Sequence, residues 1–278
     1  MSENTYVAPT ESAAEMARLI DQDRLVTEAM GGLFPPDLDP KAVRAVLDVG
    51  CGPGGWAREV AYQYPEMRVT GIDISQTMID YANGFVRVEG LDNAQFQIMD
   101  ATQPLAFSDG SFDVVNARFM VGFLRRSAWP GVVRELARVT RPGGRIILTE
   151  CDQTGTTNSE AYHTYAGRLY EAMRRSGLYA APSNVTPLLG AFLTEAGCQQ
   201  IHLRPHVLDF SAGTTANVAM FENLKVGFKL SQPFLIKMGV ATQEELDELY
   251  DKVLADMLSE SFRALWYFLS VDGRLPQR

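Results

Sequence analysis

Val46-Leu47-Asp48-Val49-Gly50-Cys51-Gly52-Pro53-Gly54-Gly55-Trp56 is the stretch that decides the fold. A short apolar run, Ala45–Val49, reads as a strand and gives way at once to glycines. Gly50 and Gly52 permit a tight turn and let a ligand approach the backbone, while Gly54 or Gly55 allows the following helix to pack closely on the strand. That helix is expected over Arg58–Tyr64, with Trp56 packed behind the loop. Gly50, Gly52 and Gly55 also satisfy the GxGxxG spacing of dinucleotide sites, a weak signal taken alone.

Outward from this loop, strand-like and helix-like segments alternate. Met67–Ile74, Ala94–Met99, Phe112–Asn116 and Arg145–Thr149 read as strands. Gln76–Arg87 and Trp129–Val139 read as helices, the latter stopped by Arg141-Pro142-Gly143-Gly144. Such alternation implies βαβ units with right-handed crossovers, and ligands bound beyond the carboxyl ends of the strands. The expected fold is α/β: a doubly wound, mostly parallel, seven-stranded sheet with an N-terminal helical cap and a C-terminal helical insertion. Residues 12–30 supply the cap helix, closed by Gly31-Gly32 and a proline-rich loop. After residue 150, helices are expected over 158–177 and Pro187–Ala196, and strands over Gln200–Val207 and Leu265–Val271. Between those last two strands, Thr242 and Glu245 form a capping box ahead of the apolar stripe Leu246, Leu249, Val253 and Met257. The expected division is a cap over 1–40, a core over 41–212, a helical insertion over 213–262, and a last strand with tail over 263–278.

Three acidic residues narrow the ligand. Asp48 stands two residues before the first glycine, Asp73 ends the second strand, and Asp100 ends the third. A pyrophosphate would meet Asp48 at short range; at an effective dielectric of ~20, like charges ~4 Å apart cost ~4 kcal/mol before screening. A ligand carrying an ammonium, a sulfonium, a ribose and an adenine suits the carboxylates better. Asp48 favours the ammonium, Asp73 accepts from the ribose hydroxyls, and Asp100 accepts from the adenine amine. S-adenosylmethionine has those groups. The bland readings are a strand-end residue for Asp73, the cap of a following turn for Asp100, and plain core for Met78.

The chain has 278 residues, and 25 Lys+Arg against 34 Asp+Glu leave a net charge of −9. That balance disfavours affinity for nucleic-acid phosphates or an anionic membrane. No apolar run approaches the ~18 residues of a spanning helix, and the N-terminus, acidic and without an apolar h-region, is not a signal peptide. Cys51, Cys151 and Cys198 are scattered and odd in number, with no zinc spacing, which points to reduced thiols and a cytoplasmic protein. No metal is expected.

The stretches VLDVGCGPGGWA, VTGIDIS, QIMDATQPLAFSDGSFDVV and RVTRPGGRIILTE resemble the class I S-adenosylmethionine-dependent methyltransferases, and WYFLSVDGRLP resembles that family's last strand. The resemblance covers about residues 41–152 well and the remainder loosely. It implies that Gly50, Cys51 and Gly52 line the methionine and ribose portion, that Asp73 holds the ribose with Ile74 and Met78 near the adenine, and that Asp100 and Ala101 meet the adenine edge. Asn116 and Ala117, just past the fourth strand, would lie near the methionyl end. Arg118, Phe119 and Glu150 are acceptor contacts on position. The product of transfer would be S-adenosylhomocysteine.

Methyl transfer from a sulfonium is an in-line displacement that needs orientation and a dry site; a phenol or carboxylic acid also needs its proton managed. His163, on the helix after the fifth strand, is the candidate base, against a solvated helix histidine. His202 and His206 flank a strand and read as structural. The apolar insertion has three readings: a lid over a hydrophobic acceptor with the 12–30 helix opposite, ordinary helix burial, or a homodimer interface. The expected function is methyl transfer to a small, partly apolar molecule. The alternatives are a nucleotide-binding oxidoreductase and a non-catalytic S-adenosylmethionine-binding protein.

Overall fold

A computed structural model describes residues 12–277. The first eleven residues of the expected cap, and with them most of the stretch read as lacking a signal peptide, lie outside the described residues, as does Arg278. In chain order the elements are α1 (Ala13–Ala29), β1 (Ala45–Val49), α2 (Gly55–Gln63), β2 (Arg68–Asp73), α3 (Gln76–Glu89), β3 (Ala94–Ile98), β4 (Phe112–Arg118), α4 (Trp129–Val139) and β5 (Thr140–Glu150). They continue with β6 (Thr156–Thr157), α5 (Glu160–Arg175), α6 (Leu189–Glu195), β7 (Gln199–Asp209), α7 (Asn217–Lys237), α8 (Gln243–Met257) and β8 (Ala264–Arg274).

The sheet runs β3-β2-β1-β4-β5-β8, with β7 on the outer side of β8. β1 to β5 are parallel, and β8 is antiparallel to both β5 and β7. This is the expected doubly wound sheet, with an eighth strand: β6, whose two residues pair with Leu265 and Ala264 of β8. Two residues carry no periodicity, so nothing in the sequence marks them.

The central strands are apolar on both faces, as strands covered by helices on either side must be. All five residues of β1 are buried; Val46 joins one apolar cluster, and Leu47 and Val49 join the other. α4 buries Trp129, Val132, Val133, Leu136 and Val139, the spacing of a single core-facing stripe. α3 begins where Ser75 Oγ accepts from Met78 N at 3.4 Å and ends at Gly90 in the left-handed conformation.

Among the expected boundaries that move, three bear on the sheet edge or its ladder. β3 ends at Ile98, so Asp100 stands in the turn beyond it rather than at its end. β4 continues to Arg118, which places Asn116 and Ala117 inside the strand instead of past it. The Arg141–Gly144 turn is an irregularity within β5: Thr140 pairs with Phe112 before the register shifts and Arg145 pairs with Val114. The ladder resumes across the glycines because Gly144 lets three groups close in; a Cβ there would lie 2.7 Å from Thr140 Cγ2 and 2.9 Å from each of two carbonyl oxygens.

Between β7 and β8 the chain forms α7 and α8, the second opened by the expected capping box: Thr242 Oγ1 accepts from Glu245 N, and Thr242 N donates to Glu245 Oε2 at 2.8 Å. α7 packs on α1 and α8 packs on α5. Arg18 Nη1 donates to Asn223 Oδ1 at 3.3 Å, and Asn223 Nδ2 donates to the Arg18 carbonyl at 3.2 Å, tying α1 to α7. Met220, Leu224, Phe228 and Leu235 are buried in these contacts.

Candidate active site

Five parallel strands bring their carboxyl ends to one edge, and a cavity of about 440 Å³ opens there. Its floor is the glycine loop. Gly50, Gly52 and Gly54 have φ of +68°, +53° and +83°, values that favour glycine. Phe123 closes on the first of them; a Cβ on Gly50 would stand 3.0 Å from Phe123 Cζ.

The cavity gathers Asp48, Gly50, Cys51, Gly52, Asp73, Ile74, Met78, Asp100, Ala101, Arg118 and Phe119. Asn116, Ala117, Glu150 and His163 are not among its lining residues. Asn116 acts one step back: its Nδ2 donates to Asp48 Oδ1 at 2.8 Å. Ala117 is buried in the core beneath. Glu150, fully buried at the end of β5, accepts from Met120 N at 2.8 Å and Val121 N at 3.1 Å, and so holds the turn after Phe119. His163 lies on the exposed side of α5 with Nε2 2.7 Å from the Thr157 carbonyl, so its position on the sequence does not bring it to the cavity.

The electrostatics follow from burial. Asp48 is 4% exposed, and its pKa is pushed up to about 7, by burial first, against the lowering effect of the Asn116 hydrogen bond, with the Asp73 charge adding to the rise. Burial also raises Asp73, although its oxygens accept from Gly52 N at 3.0 Å and Ser75 N at 2.9 Å. The first bond fixes the β2 carboxylate to the glycine loop and the second to the turn that opens α3. Asp100 Oδ1 accepts from Thr102 N at 2.9 Å and Thr102 Oγ1 at 2.7 Å, so it caps its own turn while lining the cavity. The Cys51 thiol is pushed well above its usual range by burial, which removes it as a nucleophile.

The sequence placed the 12–30 helix as one wall of the site but not the residues that form that wall. Leu19, Gln22 and Asp23 of α1 line the cavity, as do Met99, Phe123 and Leu124. The i, i+3, i+4 spacing of the α1 trio was the available signal that they share a face. Asp23 forms an ion pair with Arg118. Phe119, at φ +54°, stacks on Trp266 of β8 with ring centroids 5.4 Å apart and planes 20° from parallel. No residue of 213–262 lines the cavity; the insertion backs α1 instead. Four carboxyl groups, Asp23, Asp48, Asp73 and Asp100, and two guanidiniums, Arg118 and Arg125, line the cavity; Asp23 and Arg118 offset each other, and a cationic ligand would favour the charged forms of Asp48 and Asp73, which burial opposes. Among the described residues, no group of three or more His, Cys, Asp or Glu could hold a metal ion, and no helix is long and apolar enough to cross a membrane.

Residues 46–144 match a family model described as a methyltransferase domain. Ajmaline N-methyltransferase of Rauvolfia serpentina is 33% identical over 144 residues, 51% of this chain and 48% of that protein. A probable tocopherol O-methyltransferase of Oryza sativa subsp. japonica is 36% identical over 141 residues, 49% of this chain and 38% of that protein. The chain therefore spans half or less of the length of these two relatives. Phosphoethanolamine N-methyltransferase 2 of Haemonchus contortus, solved with S-adenosylmethionine, superposes with a TM-score of 0.55 at 18% identity, over 96% of this chain and 57% of that one. That likeness is one of fold.

Proposed function

We propose that this chain, whose residues 46–144 match a methyltransferase domain, is a class I S-adenosylmethionine-dependent enzyme that transfers the methyl group of S-adenosylmethionine to a small, partly apolar acceptor. One observation carries the reading: Asp48, Asp73 and Asp100 meet above a glycine loop in a cavity lined by four carboxylates and two guanidiniums. Glycines at positive φ open the backbone to a ribose and a thioether chain. Carboxylates at successive strand tips accept from hydroxyl, amine and ammonium groups, and they oppose a diphosphate by like charge.

S-adenosylmethionine held by these residues would supply an electrophilic methyl for in-line displacement by the acceptor's lone pair, with the sulfur as leaving group. The chain supplies placement and exclusion of water. Asp73, held by Gly52 N and Ser75 N, presents acceptor oxygens to the ribose. Asp100 and Ala101, which line the cavity, would border the adenine, with Ile74 and Met78 as its apolar wall. Asp48, oriented by Asn116, faces the ammonium. Leu19, Phe119 and Phe123 give the acceptor side its apolar surface. The two relatives are named for N-methyl transfer to ajmaline and O-methyl transfer to tocopherol, and an acceptor nitrogen or oxygen on a partly apolar molecule is compatible with such a wall.

Calorimetry with S-adenosylmethionine, S-adenosylhomocysteine and NAD tests the cofactor: the first two bind and the third does not. A labelled-methyl screen across phenols, amines and carboxylic acids then tests transfer. Tight binding of NAD in preference to the sulfur nucleosides would overturn the reading in favour of an oxidoreductase. Binding of the sulfur nucleosides with no labelled product from any acceptor class would favour a non-catalytic binding protein.

A further inference from the structure

A chain of polar side chains runs along α1 and ends at the cavity. Glu15 is fully buried and grips Arg18: Arg18 Nε donates to Glu15 Oε2 at 2.7 Å, and Nη2 donates to Oε1 at 2.6 Å. Arg18 Nη1 then donates to Gln22 Oε1 at 2.7 Å and to Asn223 Oδ1 of α7 at 3.3 Å. Residues 15, 18 and 22 stand at i, i+3 and i+7, on one side of the helix. Gln22 is the member of the chain that lines the cavity, beside Leu19 and Asp23.

This chain dictates which end of the Gln22 amide is left over. A guanidinium has donors and no acceptor, so Gln22 must give Arg18 its oxygen. A flipped amide would set N–H against N–H. The amide nitrogen is therefore the free end, and among the described residues it has no hydrogen-bond partner. Arg18 itself cannot drift to another orientation, because Glu15 holds it on two nitrogens and α7 holds it on the third. The α1 wall thus offers the cavity a neutral donor in a fixed orientation.

Its surroundings narrow what that donor meets. The charges beside it are matched, Arg18 with Glu15 and Arg118 with Asp23. The rest of this side is apolar: Leu19 Cδ1 lies 3.8 Å from where a Cβ on Gly52 would stand, and Phe119 and Phe123 line the same cavity. Asp73 and Asp100 stand at the other side, on β2 and beyond β3, while α1 crosses the β1 glycine loop and reaches β4 through the Asp23–Arg118 pair. An ammonium has only donors and finds no partner in an amide nitrogen; an uncharged oxygen does.

We propose that Gln22 selects the methyl acceptor: its Nε2 donates to an uncharged, carbonyl-type oxygen on an otherwise apolar molecule. Glu15, Arg18 and Asn223 are positioning residues that hold the amide in that orientation. The inference rests on the methyl-transfer reading above and deepens it by naming a functional group of the acceptor. The oxygen read by Gln22 is not the atom that takes the methyl, since an N–H bonded to the nucleophile's lone pair would oppose its attack on carbon.

The test uses two probes of one shape, acetophenone and ethylbenzene, which differ in a single carbonyl oxygen. Ligand-observed NMR titration of the full chain saturated with S-adenosylhomocysteine measures both probes on wild type, Gln22→Met and Gln22→Glu. Gln22→Met should weaken acetophenone by about fivefold or more, the loss of one hydrogen bond, and leave ethylbenzene within about twofold. Gln22→Glu keeps an oxygen for Arg18 and loses the donor, so acetophenone should weaken at least as much; a merely structural Gln22 would tolerate that change. If Gln22→Met does not melt cooperatively, Gln22→Glu alone decides. S-adenosylhomocysteine affinity should stay within about twofold in each folded variant. Wild-type protein that fails to bind acetophenone, equal weakening of both probes, or unchanged acetophenone affinity in Gln22→Glu overturns the assignment. A folded variant that loses S-adenosylhomocysteine also overturns it, by giving Gln22 to the cofactor. Wild-type protein that does not bind S-adenosylhomocysteine overturns the methyl-transfer reading itself, an outcome distinct from all of these.

Discussion

Asn116 faces Asp48 across the β1–β4 ladder, in direct register, and its Nδ2 reaches the carboxylate at 2.8 Å. The neighbouring strand thus partly offsets the penalty that burial places on the Asp48 charge. Asp48 is left with a pKa of about 7 instead of the ordinary 3.8, poised at the edge of the cavity.

That poise makes both stability and ligand affinity depend on pH. Asp48's folded pKa lies above its unfolded value, so its contribution to stability is fully present below pH 3.8 and is lost as pH rises through about 7. The full difference corresponds to at most ~4 kcal/mol. Asp48→Asn removes the titration and keeps the Asn116 contact. The ligand-free variant should gain thermal stability relative to wild type as pH goes from 5 to 8, measured as Tm in matched buffers. Wild-type affinity for S-adenosylmethionine should rise over the same interval, by up to about tenfold per pH unit below the pKa. Parallel melting curves for the two proteins at every pH would show that Asp48 does not titrate in this range.

Glu150 supports the site from behind. Its two oxygens accept from Met120 N and Val121 N in a fully buried position. Glu150→Ala leaves two buried N–H groups without partners, at about 1–3 kcal/mol each. A Tm lower by roughly 5–10 °C is expected, with weaker cofactor binding as Phe119 loses its turn. A melting temperature within a degree of wild type would mean that water replaces the carboxylate at no cost.

Asn223 lies on α7 and is not among the cavity-lining residues, yet its amide is bonded twice to Arg18 on α1. Asn223→Ala should loosen α1 by about 1–3 kcal/mol. Amide exchange in α1 should accelerate and cofactor affinity should fall, although no lining residue has changed. Faster exchange in α7 alone, with α1 protected as before, would remove the bracing role assigned to the insertion.

His163→Ala should leave methyl transfer within about twofold of wild type, because the ring faces solvent and the Thr157 carbonyl. Initial rates with a confirmed acceptor decide it; a loss of tenfold or more would return His163 to the reacting atoms.

Much of this site was legible before any coordinates. Asp48, Asp73 and Asp100 sit at the ends of successive strand-like runs, and parallel strands place such ends on one edge whatever else the chain does. The glycine loop is equally local, since Gly50 and Gly52 take backbone angles that other side chains resist. His163 and Glu150 were harder to read. A position just past a strand says nothing about side-chain direction: Glu150 turned back onto two amides, and His163 turned outward.

The chain's own order of residues therefore determined the βα alternation, the turn and the row of acidic tips, because each depends on neighbours within a few positions. Tertiary packing alone decided which face α1 presents to the cavity, that Asp23 would meet Arg118, 95 positions away, and that 213–262 would support α1 rather than line the cavity. Helical periodicity records that a face is buried; which distant surface buries it is settled by shape and charge only once the whole chain has closed.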